Sequence, residues 1–367
     1  MTIGIITAIN IETLAIRQVI DVVPARVSTD DRPYHVGTAP SSIPSRPHGV
    51  VVAQQTSDGT RDAAWLCGRL AHTFPNLRAI VMCGIAAGVP SADPDNGVAL
   101  GDIVVATEIV DYRHSYRVNG DERVRATVRP PAALWMNADH LVAVDELDGR
   151  PPWLPTLDRV SRQAGFLSPG GPGIPRVHRG RVGSADLLLR DSTLRDNLAR
   201  EHRIVAFEME GAGVAVGAHL GDLSWFMVRG VADHGDGHKN DVWHPYAALA
   251  AACYLGSVLG CCAPLGPGTL PGRTVADAMT AMTDALAGLR VMRNDRYTVL
   301  EQLPDWMREQ IRDNALARLH VVETITALER LPGGLDALLT ALLRALGSRS
   351  RDFVEVERVL RDNWKER

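Results

Sequence analysis

Acidic side chains stand at or just beyond the ends of three predicted strands. Glu12 falls in the first turn of the first predicted helix, and Asp233 follows the last predicted strand. Between an apolar strand and a run of small residues, Glu208 and Glu210 flank Met209. Side chains at the carboxyl ends of strands in an open α/β sheet face a ligand crevice. The sequence therefore predicts a crevice supplied with carboxylates.

The acidic pair at positions 208 and 210 is suited to hold a sugar. A carboxylate accepts two hydrogen bonds from vicinal hydroxyls, and Met209 offers a soft apolar face beneath the ring. Acidic groups at the end of an apolar strand are costly to bury unless they bind something. The alternative is that Glu208 and Glu210 cap the following helix. For Glu12, the alternative is a surface residue that interacts favourably with the dipole of its own helix.

The carboxyl group of Asp233 is placed to share its proton with a leaving nitrogen, which the departure of a purine from a sugar requires. His234, Asp236 and His238 follow it at alternate positions in a Gly-rich loop. That spacing does not give a clean metal geometry. We expect no metal and no cofactor.

Small residues end the third predicted strand, where Ala86 and Ala87 lie between Gly84 and Gly88. They permit close approach of backbone N–H groups to a flat or anionic ligand. Tight packing is an equally good explanation.

Short runs rich in Val and Ile alternate with helical patterns, which predicts an α/β domain with a largely buried sheet. Residues with turn chemistry at 30–48 and 167–175 are predicted as loops. The predicted strands cover residues 2–7, 49–54, 79–83, 102–107, 180–183, 204–208 and 225–231. The predicted helices cover residues 11–22, 61–73, 131–147, 155–164, 189–201, 209–220 and 244–259.

A Pro- and Gly-rich segment divides the chain, because three prolines and three glycines between positions 263 and 272 cannot continue a helix or a strand. Beyond it, apolar residues recur only at helical spacing. We therefore predict a domain at 1–262, a linker at 263–273 and a small all-α bundle at 274–367. Its predicted helices cover residues 275–290, 297–303, 304–313, 319–330, 334–346 and 353–363.

Composition excludes several classes of protein. The 367 residues carry 39 Lys and Arg against 43 Asp and Glu, so no general basic field attracts a nucleic-acid polymer. No signal peptide is recognisable, and no run reaches the roughly 18 apolar residues of a membrane span. The five cysteines form no CxxC pair, which favours buried reduced thiols. We expect a cytoplasmic protein without a membrane partner.

The first 262 residues resemble the nucleoside phosphorylase superfamily, particularly its methylthioadenosine/S-adenosylhomocysteine nucleosidase branch and the related nucleosidase domains fused to immune receptors. The specific segments are Phe-Glu-Met-Glu, Gly-Val-Ala-Asp, His-Lys-Asn-Asp and Pro-Tyr-Ala-Ala, at 207–210, 230–233, 238–241 and 245–248. The resemblance implies a mixed central sheet flanked by helices, and a homo-oligomer with site contributions from a neighbouring subunit.

The resemblance also implies roles for individual residues. Glu12 would position or activate the attacking water, and Asp233 would protonate adenine at N7. The substrate-binding residues would be Ala86, Ala87, Ser184, Asp186, Leu188, Glu208, Met209, Glu210, His238 and Lys239. Members of the family often have an aromatic residue at the position of Leu188.

Hydrolysis is favoured over phosphorolysis because a phosphate nucleophile needs cationic or N–H donors beside the anomeric carbon. Phosphorylases of the superfamily carry an Arg in the first strand–helix loop, where this chain has Glu12 instead. The resemblance implies that the bond to be broken is the N-glycosidic bond of an adenine nucleoside or nucleotide, with release of adenine.

The 5′ substituent of the substrate is open. If Arg113, Arg117, Arg125 or Lys239 faces the crevice, the substrate carries a 5′-phosphate group, and AMP and ATP are candidates. The alternative is a solvated basic hairpin.

Residues 281–362 resemble the type-two, death-like effector-associated domains of bacterial conflict systems, adaptors that pair with a matching domain on a partner protein. The resemblance implies an effector that is recruited in antiphage defence; a plain oligomerisation bundle is the alternative. For the enzymatic domain, the alternatives are a housekeeping methylthioadenosine/adenosylhomocysteine nucleosidase, a purine nucleoside phosphorylase, and a nucleoside sensor that does not cleave.

Overall fold

The computed structural model describes residues 1–28, 30–91, 97–119, 121–125, 127–128, 130–162, 165–171, 173–238, 240–265, 275–314, 316–347 and 350–364. The chain divides into two compact units, Met1–Pro271 and Gly272–Arg367. Residues 266–273 of the predicted linker lie outside the described residues, so its limits stay a prediction.

The first unit is an α/β domain. Its strands are β1 Ile3–Thr7, β2 Asp21–Val27, β3 Asp30–Ala39, β4 His48–Gln54, β5 Ala79–Gly88, β6 Ile103–Asp111, β7 Ser115–Val118, β8 Asp121–Val124, β9 Thr127–Val128, β10 Val177–Ser184, β11 Ile204–Glu208 and β12 Ser224–Asp233. Its helices are α1 Asn10–Val19, α2 Thr60–Thr73, α3 Ala133–Leu147, α4 Leu154–Ser161, α5 Ser192–His202, α6 Gly211–Leu220 and α7 His244–Cys261.

One large sheet has the strand order β11-β10-β6-β12-β5-β1-β4-β3-β2, and β9 adds to β6. Strand β5 also pairs with β11, so β11, β10, β6, β12 and β5 form a closed ring. The pairs β1–β4, β1–β5 and β12–β5 are parallel, whereas β12–β6 and β11–β5 are antiparallel. The predicted fold class, a mixed sheet flanked by helices, is confirmed.

The ring closure brings distant segments of the chain together at one residue. Ala87 at the end of β5 pairs with Phe207 of β11 on one side and with Asp233 of β12 on the other. The segments that follow these two strands therefore start within one sheet spacing of Ala87.

Helix α7 is buried along most of its length and packs against β12 and α1. Its approach depends on Gly230, because a Cβ there would overlap the carbonyl oxygen of Ala247. The absence of a side chain at Gly230 therefore determines how closely α7 packs against the sheet.

All seven predicted strands are present. The predicted loop over 30–48 is confirmed only for residues 40–47, because residues 30–39 form β3 and His48 begins β4. Strand β3 pairs with both β2 and β4, β2 forms the edge of the sheet, and neither β2 nor β3 was predicted. Each of them contains a proline, Pro24 in β2 and Pro33 in β3, which weakens the strand pattern. Exposed residues at most positions of β2 also leave it without an apolar run.

The second unit is helical. Its helices are α8 Val275–Gly288, α9 Arg290–Asn294, α10 Tyr297–Leu300, α11 Asp305–Arg308, α12 Ala317–Leu328, α13 Gly334–Leu346 and α14 Arg351–Asn363. They share a core of buried Leu, Met, Ile and Val side chains. In neither unit does a described helix combine the length and apolarity required to cross a membrane.

Gly230→Ala should destabilise the first unit by about 2 kcal/mol or more, because the added methyl group forces α7 away from β12. Urea unfolding measures the loss. Gly68→Ala is the matched control: nothing lies within 4 Å of a Cβ at this exposed position of α2. The control should raise stability by roughly 0.5–1 kcal/mol through helix propensity. Equal stability of the two variants would contradict the packing argument.

Candidate active site

An open cleft lies at the strand ends around Ala87. The cleft brings together eight residues that the sequence predicted for the site, namely Glu12, Ala86, Ala87, Leu188, Glu208, Met209, Glu210 and Asp233.

The floor of the cleft is organised by Arg229 of β12, whose side chain is 1% exposed. Its Nη2 donates a short hydrogen bond to Glu208 Oε2 and a second one, of 3.2 Å, to Glu210 Oε2. Its Nη1 lies 4.0 Å from Glu12 Oε1. One guanidinium therefore faces the three carboxylates that the sequence placed on two separate segments.

Glu12 uses its two oxygens for two tasks. Oε2 accepts hydrogen bonds from the N–H groups of Ala8 and Ile9, at 2.6 and 3.2 Å, and so caps α1. Oε1 accepts the N–H of Ile85, at 2.8 Å, and faces Arg229. Burial raises the pKa of Glu12, although Arg229 and the three N–H groups oppose that rise. Glu12 is thus both the predicted helix cap and a basic carboxylate in the cleft.

The sequence left both helix capping and ligand binding open for Glu208 and Glu210, and in the structure only the Glu208 side chain caps the helix. Glu208 accepts the N–H groups of Glu210 and Gly211 and caps α6. Glu210 Oε1 accepts the N–H of Gly59 at 3.2 Å, and its other oxygen is held by Arg229. Burial raises the pKa of Glu210 to about 7, with further upward contributions from Glu208 and Glu12.

Gly84 makes room for this cluster. A Cβ at Gly84 would overlap Glu12 Oε1 and would lie 2.6 Å from Arg229 Nη1. Its lack of a side chain, which the sequence connected with ligand approach, therefore serves the contact between two buried charged groups.

Asp233 and an apolar wall also line the cleft. Asp233 Oδ1 accepts the N–H of Gly235 at 2.7 Å, which orients the carboxyl group. The wall consists of Ala87, Tyr112, Leu187, Leu189 and Phe207, which also belong to one hydrophobic cluster. Such a wall offers an apolar surface to a flat ring.

Five predicted residues in the described part of the chain do not line the cleft. Ser184 is buried, and its Oγ accepts the N–H of Ala212 at the start of α6. Asp186 is exposed, and its Oδ1 accepts hydrogen bonds from the N–H and the Oγ1 hydroxyl of Thr60. Asp186 thereby caps α2. His238 has a 97% exposed side chain beside Asp236. Arg117 lies in β7 and is exposed.

Arg113 lines a different depression, together with Thr60, Arg61, Asp111, His114, Ala185 and Asp186. Lys239 lies outside the described residues. The structure therefore does not bring the predicted phosphate contacts Arg113 and Arg117 to the cleft.

Four polar or charged contributors were not predicted: Asp58, Tyr112, Arg229 and His244. Arg229 carried a signal, because a lone charged residue within an apolar strand requires buried partners. The other three gave no such signal. His244 starts α7, and its Nε2 lies 3.3 Å from Asp241 Oδ1.

A mixed α/β sheet with a carboxylate-lined cleft at its strand ends is the architecture of a small-molecule-binding domain. Residues 2–254 match the family model described as Phosphorylase superfamily, so the chain belongs to this superfamily. Residues 283–361 match the model of Effector-associated domain 2. Both resemblances seen in the sequence are confirmed.

Two curated relatives illustrate the match. The chain is 32% identical over 171 residues to a 5′-methylthioadenosine/S-adenosylhomocysteine nucleosidase of Mycobacterium bovis, covering 45% of this chain and 62% of that protein. It is 25% identical over 264 residues to ATP nucleosidase Cap17 of Escherichia coli, covering 68% of this chain and 49% of that protein. The chain spans 24% to 62% of the length of its curated relatives.

Solved structures share the fold. The Streptococcus pneumoniae MTA/SAH nucleosidase in complex with 8-aminoadenine aligns with a TM-score of 0.51 at 20% identity, covering 71% of this chain and 99% of that one. Within the described part of the chain, no group of three or more His, Cys, Asp or Glu residues could hold a metal ion.

Glu210→Gln should flatten the dependence of stability on pH. The pKa of Glu210 in the folded protein, about 7, lies above its usual 4.5, so folding favours the protonated form. The stability that this group contributes is complete below the usual value and is lost as pH rises through about 7. Urea unfolding between these pH values should give a steeper fall for the wild type than for the variant.

Glu201→Gln is the matched control, because the Glu201 side chain is 65% exposed. It should retain the wild-type slope. An unchanged slope in Glu210→Gln would contradict the raised pKa.

Proposed function

We propose that the first unit hydrolyses the N-glycosidic bond of an adenine nucleoside or nucleotide and releases adenine. The observation that carries this proposal is the cluster in which Arg229 faces Glu12 and Glu210, with Asp233 in the lining of the same cleft. A water activator, a sugar ligand and a proton donor are thereby set around one position.

The electrostatics favour water over phosphate as the nucleophile. The only described cation at the floor is Arg229, which already faces three carboxylates. A phosphate dianion beside Glu12 would lie against three carboxylates whose charge a single guanidinium only partly balances. Water needs only an acceptor for its proton, and the raised pKa of Glu12 makes this carboxylate a better base.

Arg229 also favours a water molecule at this place. Its Nη1 is buried and has no hydrogen-bond partner among the described residues. A water beside Glu12 Oε1 would accept from Nη1 and donate to the carboxylate, which satisfies the buried donor. The guanidinium would then orient the nucleophile as well as hold its base.

Glu210 and Met209 form the proposed ribose site. Each Glu210 oxygen accepts one protein hydrogen bond and keeps a lone pair for a sugar hydroxyl. Met209, partly buried in the cleft lining, supplies the apolar surface under the ring.

The reaction balances with the groups present. Glu12 takes a proton from the water molecule as the water oxygen bonds to C1′ of the sugar. The C1′–N9 bond breaks, its electron pair moves into the base, and Asp233 delivers a proton to N7. The transition state carries positive charge on the ribose, which the acidic floor stabilises.

The second unit supports a role as a recruited effector. Its match to Effector-associated domain 2 favours pairing with a protein that carries a matching domain, in antiphage or other conflict defence. Recruitment would raise the local concentration of the enzyme. A neighbouring coding sequence with a similar helical domain is the expected genomic finding; its absence would favour a housekeeping nucleosidase.

The 5′ substituent, the cytoplasmic location and a homo-oligomeric state belong to the proposal. The relative named ATP nucleosidase favours a nucleotide, and the nucleosidase of methylthioadenosine favours a neutral 5′ group. A chromatographic screen of adenosine, methylthioadenosine, adenosylhomocysteine, AMP and ATP decides between them.

In that screen, the wild type should release adenine with a free sugar product, at a rate independent of added phosphate. Glu12→Gln and Asp233→Asn should each lower kcat by about 10²–10⁴-fold, because each removes a general base or acid. Asp236→Asn, in the same loop but outside the cleft lining, is the control and should keep wild-type activity. A sugar 1-phosphate product would establish phosphorolysis, and ligand binding without cleavage by the wild type would establish a sensor.

A further inference from the structure

Helix α5 buries an arginine. All 11 residues of Ser192–His202 are described, and Arg195 is the one that is buried, with 5% of its surface exposed. Its Nε and Nη2 lie 2.8 and 2.7 Å from Oδ1 of Asp196, a half-exposed neighbour. An ion pair at the surface adds little stability, and a buried guanidinium needs acceptors for its other donors. The burial of Arg195 therefore depends on a further partner.

That partner is the backbone of the loop that follows Asp233. The Nη1 atom of Arg195 donates a hydrogen bond of 2.5 Å to the carbonyl oxygen of His234. A hydrogen bond from a charged donor is roughly twice as strong as one between neutral groups. It joins α5 to the residue that directly follows the predicted proton donor, so it fixes the peptide unit beside Asp233.

Two further contacts hold the same short loop. The Nδ1 atom of His234 donates to the carbonyl oxygen of Gly88 at 3.2 Å, which anchors the loop to the end of β5. Gly235 has a φ of +60°, a left-handed conformation that suits glycine, and its N–H reaches Asp233 Oδ1. Arg195 supplies the charged contact among these three.

The helix that carries Arg195 also follows one wall of the cleft. Leu189 lies in the cleft lining, and α5 begins three residues later at Ser192. A Cβ at Gly235 would lie 3.6 Å from the carbonyl oxygen of Leu189, so the wall and the loop are in contact. Arg195 therefore links two segments that line the cleft, the apolar wall and the loop of Asp233.

We propose that Arg195 is a positioning residue that holds the Asp233 carboxyl group in the orientation from which it protonates the leaving base. This inference rests on the proposed function. Arg195 lies outside the cleft lining as the described residues form it, so it acts through the carbonyl group of His234. Proton transfer requires Asp233 within hydrogen-bond reach of the base nitrogen, and a small displacement of a catalytic group lowers the rate steeply.

The test is Arg195→Met, which keeps an apolar stem and removes the guanidinium. With the preferred substrate from the screen, kcat should fall about 10–100-fold. KM should change by less than about two-fold, because the proton is delivered in the transition state. Arg200→Met is the matched control and should keep the wild-type kcat, since Arg200 is exposed on the same helix and its Nη1 lies 3.3 Å from Asn197 Oδ1.

A double-variant cycle separates positioning from a general loss of structure. If Arg195 acts through Asp233, the variant that combines Arg195→Met with Asp233→Asn should be no more than about two-fold slower than Asp233→Asn alone. A purely structural role would lower kcat by the same factor in both backgrounds. Arg195→Lys retains a cationic donor and should recover part of kcat, and it takes the place of Arg195→Met in the cycle if the latter does not fold.

The outcomes distinguish this inference from the proposed function. A wild-type kcat in Arg195→Met, or equal losses in the two backgrounds, would overturn the inference and leave the proposed function intact. A wild type that releases no adenine, or an Asp233→Asn variant with full activity, would instead refute the proposed function, and the inference with it.

Discussion

The buried ion cluster of Arg229 with Glu12, Glu208 and Glu210 is the constraint on which the rest of the site depends. Three carboxylates around one guanidinium leave an excess of negative charge in a region shielded from water. Burial raises the pKa values of Glu12 and Glu210, and the neighbouring carboxylates Glu208 and Glu12 raise that of Glu210 further. Such an arrangement is expensive for a fold and suits a site that stabilises developing positive charge.

Much of the surrounding architecture serves this cluster. The pairing of β5 with β11 closes the ring and brings Glu208 and Glu210 to the strand that carries Arg229. Gly84 leaves the space in which Glu12 reaches the guanidinium, and the helix starts of α1 and α6 supply N–H groups to Glu12 and Glu208. Helix capping and chemistry are therefore joined in the same carboxylates, which explains why the sequence supported both interpretations.

The sequence predicted what local patterns encode. Apolar runs located all seven strands of the buried core, and acidic residues at strand ends located Glu12, Glu210 and Asp233 in one cleft. The hairpin of β2 and β3 was missed because each of these strands contains a proline. What depends on contacts between distant segments was also missed, namely the partners of Arg229 and the position of Tyr112 in the cleft lining. Ser184 and Asp186 were placed in the site by resemblance, whereas the structure uses them to hold α6 and α2. The pairing register between strands of a closed ring depends on several strands together, so the pattern of a single strand does not predict it.

The most direct test of the account is a double-mutant cycle for stability with Arg229→Met, Glu208→Gln and the double variant, measured by urea unfolding at pH 7. Arg229→Met leaves buried carboxylates uncompensated and should cost about 3–5 kcal/mol. Removing the Glu208 charge as well should restore part of that loss, giving a coupling energy of about 2 kcal/mol. Losses that add to within about 0.5 kcal/mol would show that Arg229 does not hold Glu208, and the central claim would be wrong.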